Sequence, residues 1–228
     1  MGALRAISDD DIDRWYDGKS FSSDWTTWHF GNWRQWLDDL RDAPVRILEI
    51  GSWEGRSALF FLNYFPAARL VCVDTFGGSV EHAINPYFAA LVPETERKFD
   101  ANLAAFAGQF EKRKGSSSTV LPQLAIERHQ FDLIYVDGSH RAADVYSDAA
   151  LSWPMVAKNG IVIFDDYEFD QMEGELERPM LGIDVFLAAI DGQYRLVHKG
   201  YQVAIAKAVA SHQRDPIRSS PRKRGPRA

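Results

Sequence analysis

The feature that most constrains this chain is a series of short apolar runs, each stopping at glycine or aspartate and most followed by a helical pattern. Val45-Arg46-Ile47-Leu48-Glu49-Ile50 stops at Gly51, and Leu70-Val71-Cys72-Val73 stops at Asp74. Phe131-Asp132-Leu133-Ile134-Tyr135-Val136 stops at Asp137, and Gly160-Ile161-Val162-Ile163-Phe164 stops at Asp165-Asp166. Runs with little polar alternation are strands buried on both faces, as in parallel sheets covered by helices. Strands alternating with helices predict an α/β fold with a mostly parallel sheet and helices on both faces. Ligands of such sheets lie beyond the carboxyl ends of the strands, where these glycines and aspartates sit.

The remaining pattern fills in that plan. Helices are predicted at 57–62, from Glu94 to Phe110, around Val120, Leu121 and Leu124, from Ala142 to Trp153, and from Leu181 to Ile190. Residues 76–93 contain Gly77-Gly78, Pro86 and Pro93, which predicts an irregular connection with a short helix. Residues 167–179, with Glu168, Asp170, Glu173, Glu175 and Glu177, predict a loop. Tyr194 to His198 and Tyr201 to Ile205 predict a closing antiparallel hairpin around Lys199-Gly200. The expected architecture is a Rossmann-like sheet with a C-terminal antiparallel hairpin strand, spanning residues 44–208.

Residues 1–43 hold five of the seven tryptophans. Trp25, Trp28, Trp33 and Trp36 recur at near-helical spacing, and Pro44 ends the pattern. This predicts an N-terminal helical lid packing its aromatic face on the main domain. The same rings suit an aromatic wall over a pocket, or a contact in a homo-oligomer. Residues 209–228 form a basic tail in which Arg214, Arg218, Arg222, Lys223, Arg224 and Arg227 face Asp215 alone. Its Pro, Ser and Arg content predicts a solvated, disordered extension. The rest of the chain is therefore more acidic than the net charge of −6 shows. An acidic body argues against a nucleic-acid partner. A lone cysteine, Cys72, forbids an internal disulfide, and no apolar stretch is long enough for a membrane span. A soluble, cytoplasmic protein is expected.

The first strand leads into Glu49-Ile50-Gly51-Ser52-Trp53-Glu54-Gly55-Arg56-Ser57. Gly51 permits a tight turn, and Gly55 lets the next helix start close to a ligand. Trp53 stands where a dinucleotide-binding loop has its second glycine, the residue that lets a pyrophosphate lie on the backbone. A ligand without pyrophosphate is indicated, and S-adenosylmethionine fits. Glu49 is placed near its ammonium, and Asp74 is placed to accept hydrogen bonds from both ribose hydroxyls. The candidate cofactor contacts are Glu49, Gly51, Ser52, Gly55, Arg56, Ser57, Asp74 and Thr75, with Asp137 beside them. A bare strand-to-helix turn is the plainer alternative for Glu49 and Gly51.

Tyr135-Val136-Asp137-Gly138-Ser139-His140 and Phe164-Asp165-Asp166-Tyr167 end successive strands. Neighbouring strands lie about 4.8 Å apart, so these carboxylates converge. Three such groups repel one another unless a cation sits between them, and hard oxygen donors suit Mg²⁺, Mn²⁺ or Ca²⁺. Asp137, Asp165 and Asp166 are the candidate metal ligands. For any one of them, a helix-capping role is the competing reading. His140, three residues after Asp137, can overhang the same pocket and accept a hydroxyl proton near neutral pH, or serve only as a capping or core residue.

Leu48-Glu49-Ile50-Gly51, Gly55 and Ser57, followed by Val71, Val73 and Asp74, resemble the first two motifs of the class I methyltransferases. Lys114-Gly115-Ser116-Ser117, followed by Leu121, is similar to a segment lying near the adenine in that family, which implicates Ser116 and Ser117. The Asp-Gly-Ser-His run and the later Asp-Asp-Tyr resemble the metal-dependent small-molecule O-methyltransferases of the catechol and bacterial sugar types, over about residues 45–207. That resemblance implies Asp137, Asp165 and Asp166 as ligands of a divalent metal such as Mg²⁺. It also places His140 where the family has a basic residue near the acceptor hydroxyl. The catechol type has Lys at that point, and Asn where Asp166 stands. The implied activity is methyl transfer from S-adenosylmethionine to a hydroxyl of a small molecule. A non-catalytic partner or sensor of the same fold is the alternative. A metal-binding hydrolase or hydroxylase on the same sheet is not supported, because the sequence has no G-x-S-x-G turn and no two-His-one-carboxylate set.

Overall fold

Strand β1 (Arg46–Ile50) stands near the middle of a seven-stranded sheet. The computed structural model describes residues 6–79, 85–171, 174 and 177–208. The other strands are β2 (Arg69–Asp74), β3 (Phe110–Lys114), β4 (Phe131–Val136), β5 (Val156–Phe164), β6 (Tyr194–Lys199) and β7 (Val203–Lys207). The order is β3-β2-β1-β4-β5-β7-β6. β1 to β5 run parallel, and β7 inserts antiparallel between β5 and β6. The chain builds outward from β1 to β3 and then returns to β4 on the other side of β1. The crevice between β1 and β4 is thus the topological switch point, where ligands of such sheets bind.

The period of two along each strand divides the core into two layers. Ile47, Cys72, Tyr135 and Ile163 face α3 (Arg56–Tyr64) together with α1 (Asp9–Trp15) and α2 (Phe30–Leu37). Leu48, Val73, Ile134 and Val162 face α5 (Ser117–Ile126), α6 (Ala142–Ser152) and α7 (Pro179–Ala189). The expected parallel sheet, covered faces and antiparallel hairpin are all present. Among the described residues, no helix is long and apolar enough to cross a membrane. The basic tail at 209–228 lies outside the described residues.

Three local readings need correction. The helix expected from Glu94 to Phe110 is α4 (Pro86–Leu103), and Phe110 instead opens the edge strand β3. Pro86 occupies the first turn under an Asn85 cap, where its missing N–H costs nothing, and the helix runs on through Pro93, whose lost partner carbonyl belongs to exposed Ala89. β5 starts four residues before Gly160, with a register irregularity against β4. The N-terminal tryptophans do not share one helix. Asp24 Oδ1 accepts from the backbone N–H of Thr26 and Thr27 and sets a short 3₁₀ turn at Thr27–His29, so α2 carries only Trp33 and Trp36. Trp33 is fully buried against Phe60 and Phe61, whereas Trp25 and Trp28 stay exposed.

Candidate functional site

The loop after β1 is held from three sides. Gly51 has φ +87, and a Cβ there would lie 1.9 Å from the carbonyl oxygen of Asp137. The glycine is therefore demanded by the neighbouring β4 end, against which the β1 end presses directly. Trp53 also takes a left-handed backbone, φ 45, which is strained for a bulky residue. Asp74 offsets that strain, because its Oδ2 accepts from the N–H groups of Ser52 and Trp53, both at 2.7 Å. Its Oδ1 accepts from Phe76 N at 2.5 Å. With two lone pairs per oxygen, these bonds leave one acceptor position, on Oδ1.

Glu54, buried in the same loop, accepts from the N–H and hydroxyl of Ser22 and from Lys98 Nζ. The Asn102 side chain bonds Ser20 and the Glu54 carbonyl. Arg56 stacks on Tyr16 and Phe21, and its Nη2 donates to Asp24 and Thr27. The loop is thereby fastened to residues 16–27 of the N-terminal segment. Glu49 lies beneath it, fully buried, with Ser57 Oγ donating at 2.5 Å. Burial pushes its carboxyl up to about 7.

At the β4 and β5 ends the carboxylates do converge. Asp137 Oδ2 lies 3.0 Å from the Tyr135 hydroxyl, which also contacts Asp165 Oδ2. One phenolic proton cannot serve two ionised carboxylates, so a second proton or a cation must neutralise the cluster. Burial, followed by the Asp165 and Asp166 charges, raises the Asp137 carboxyl well above its ordinary range. Burial and the Asp166 charge raise Asp165 as well. Asp166, at φ 58, is the exception. Burial opposes its charge, but His140 and the Tyr201 hydroxyl outweigh that and hold its carboxyl low. His140 Nε2 stands 2.9 Å from Asp166 Oδ2, Tyr201 donates to Oδ1 at 2.8 Å, and Phe169 stacks on the imidazole.

Among the described residues, Asp137, His140 and Asp166 form a group whose donor atoms all lie within 4.8 Å of one another. It shares Asp137 and Asp166 with the expected trio, and Asp165 lies beside it in the cleft lining. Asp165 turns down toward Tyr135, accepts from Asp166 N at 2.8 Å, and meets buried His29 at 3.5 Å. Sequence reasoning gave His29 no part here. Its ring packs between Trp28 and Trp33, and burial lowers its pKa to about 4. Nothing in its local sequence reveals this, since the contact is made across the fold. Tyr135 was legible in principle, because period two puts it on the same strand face as Asp137.

A cleft of about 670 Å³ joins the two ends of the site. Gly51, Ser52, Arg56, Ser57, Asp74 and Thr75 line one part. Ser116, Ser117, Asp137, His140, Asp165 and Asp166 line the rest, with Trp25, Trp28, Phe169 and Tyr201 at the wall. Of the expected contacts, only Glu49 and Gly55 do not line it. Gly55 (φ +80) turns the chain into α3, and Glu49 supports the loop from below.

A family model described as a methyltransferase domain matches residues 48–167. An uncharacterized protein, R132, of Acanthamoeba polyphaga mimivirus is 26% identical over 142 residues, which cover 61% of this chain and 59% of the viral protein. Among solved structures, the chain resembles the MycE methyltransferase of the mycinamycin biosynthetic pathway, in complex with Mg, SAH and mycinamycin VI. That likeness has TM-score 0.62 and 17% identity and covers 90% of this chain but 55% of MycE. The O-methyltransferase NovP is similar at TM-score 0.60 and 20% identity, over 79% of this chain and 80% of NovP. The chain thus spans little more than half the length of the viral protein and of MycE.

Proposed function

The chain belongs to the methyltransferase-domain family, and on that premise we propose that it transfers a methyl group from S-adenosylmethionine to a hydroxyl of a small molecule beside a divalent cation. The observation that carries this reading is one continuous cleft, with an Asp74-clamped loop at one end and Asp137, Asp166 and His140 at the other.

When bound, S-adenosylmethionine supplies an activated methyl on a sulfonium. Gly51, Ser52, Arg56, Ser57, Asp74, Thr75, Ser116, Ser117 and Asp137 are the residues that would hold it. Oδ1 of Asp74 offers an acceptor for a ribose hydroxyl. The cation, such as Mg²⁺, would be held by the oxygens of Asp137 and Asp166, with Asp165 supporting them through Tyr135. It supplies a Lewis acid that lowers the pKa of a nearby hydroxyl. The donor set fits, being rich in hard oxygens and short of protons at Tyr135. His140 donates its Nε2–H to Asp166 Oδ2, which fixes the ring and stabilises the imidazolium, so the hydroxyl proton is received at the other ring nitrogen, Nδ1. Trp25, Trp28, Phe169 and Tyr201 exclude water, so the N-terminal segment serves as a wall as well as a packing element. The acidic cleft favours a small acceptor over a nucleic acid. Buried, single Cys72 accords with a cytoplasmic protein.

The test is S-adenosylhomocysteine formation with candidate hydroxyl acceptors, with and without chelator. Turnover is expected to fall about a hundredfold or more in chelator and in Asp137→Asn, and to return with added Mg²⁺ only in the wild type. Turnover indifferent to both removes the cation from the account.

A further inference from the structure

We propose that the acceptor is a ring compound carrying no negative charge, seated face-on against Trp28, and that Trp25 and Trp28 select it. This rests on the methyl-transfer reading and adds the acceptor class. Trp28 lines the cleft with 58% of its surface exposed, and Trp25 with 45%, whereas Trp33 is fully buried. Exposed indoles of this size beside a cleft are binding surfaces more readily than packing elements. Trp28 is also fixed in place. Its Nε1 donates to the Trp25 carbonyl at 2.8 Å, and its ring meets Tyr201 edge-on at 4.7 Å. The Tyr201 hydroxyl donates to Asp166, so a ring resting on Trp28 lies one aromatic side chain from the carboxylate and His140.

The side chains around this platform are mostly acidic. Eight carboxyl side chains line the cleft against Arg56 and His140, with no lysine among its described lining residues. Arg56 is committed to Asp24 and Thr27 at 2.7 and 2.6 Å, and His140 to Asp166. Beyond Asp166 the chain continues through exposed Glu168 and Asp170. Among the described lining residues no cationic side chain is left to receive a phosphate or carboxylate, which disfavours nucleotide-activated, coenzyme-A-linked and free-acid acceptors. A neutral or cationic ring meets an aromatic face in an acidic surround, the arrangement that attracts cations.

The experiment uses the full chain loaded with S-adenosylhomocysteine and Mg²⁺, titrated calorimetrically with three matched diol rings: dopamine, 4-methylcatechol and 3,4-dihydroxyphenylacetate. The cation and the neutral ring are expected to bind about tenfold or more tighter than the anion, with the gap shrinking as salt rises. Trp28→Ala should weaken both favoured rings by about tenfold, and Trp28→Phe should recover most of that. S-adenosylhomocysteine affinity, unchanged in both variants, reports that they are folded. The proposal is overturned if the anion binds as tightly as the cation, if Trp28→Ala binds all three like the wild type, or if no ring binds the loaded protein. A wild type that fails to bind S-adenosylhomocysteine defeats the methyl-transfer reading instead.

Discussion

Gly51 and Glu49 illustrate how single residues govern this site. At Gly51 an added methyl would overlap the Asp137 carbonyl, at a backbone angle already costly for alanine. Gly51→Ala must push the β1 and β4 ends apart, and its expected cost is at least ~3 kcal/mol. Gly55→Ala shares the backbone strain but meets only the movable Phe99 and Leu103 side chains, so it should cost less. Thermal unfolding of both variants checks the order. Glu49 links the site to pH. Its carboxyl ordinarily titrates near 4.5 and in the fold near 7, so between those values the folded state holds more protons than the unfolded one. Stability therefore falls as pH rises from about 4.5 to 7, by on the order of 3 kcal/mol, and stays lowered above that. Glu49→Gln should flatten this slope in denaturant titrations, and an unchanged slope would show that Glu49 is not its source. The aspartates were legible in the sequence because strand ends announce themselves. Which oxygen faces the cleft was not, because Asp165 and Asp166 are adjacent and only the left-handed turn at Asp166 sends them apart.

Among elements, the strands with long apolar runs were readable, and β3 was not. As an edge strand with the sequence Phe-Glu-Lys-Arg-Lys, it is only half-buried and carries no apolar pattern. The opposite error arose at α4, where two prolines suggested a break, but Pro86 sits in the first turn and the helix continues through Pro93. α4 also matters to the site through Lys98 and Asn102, which tie the cofactor loop to residues 19–22. The Asn102 side chain makes three bonds while almost wholly buried. Asn102→Ala should cost about 2–4 kcal/mol and speed amide hydrogen exchange over residues 19–28 more than in β1 or β4. Equal acceleration everywhere would mean that the N-terminal segment is not separately fastened there.

At the scale of the whole molecule, sheet order and charge act together. The return from β3 to β4 opens the crevice beside β1, and the strand ends on either side supply the loop and the carboxylates. The N-terminal segment completes the wall from outside the sheet, which is why local sequence patterns conveyed its aromatic character but not its contacts. The central claim is that this crevice holds S-adenosylmethionine. Calorimetric titration of the intact chain with S-adenosylmethionine tests it most directly. The account predicts a single saturable site, weakened by Gly51→Ala. Heat that never saturates, up to millimolar ligand and with Mg²⁺ present, would contradict it.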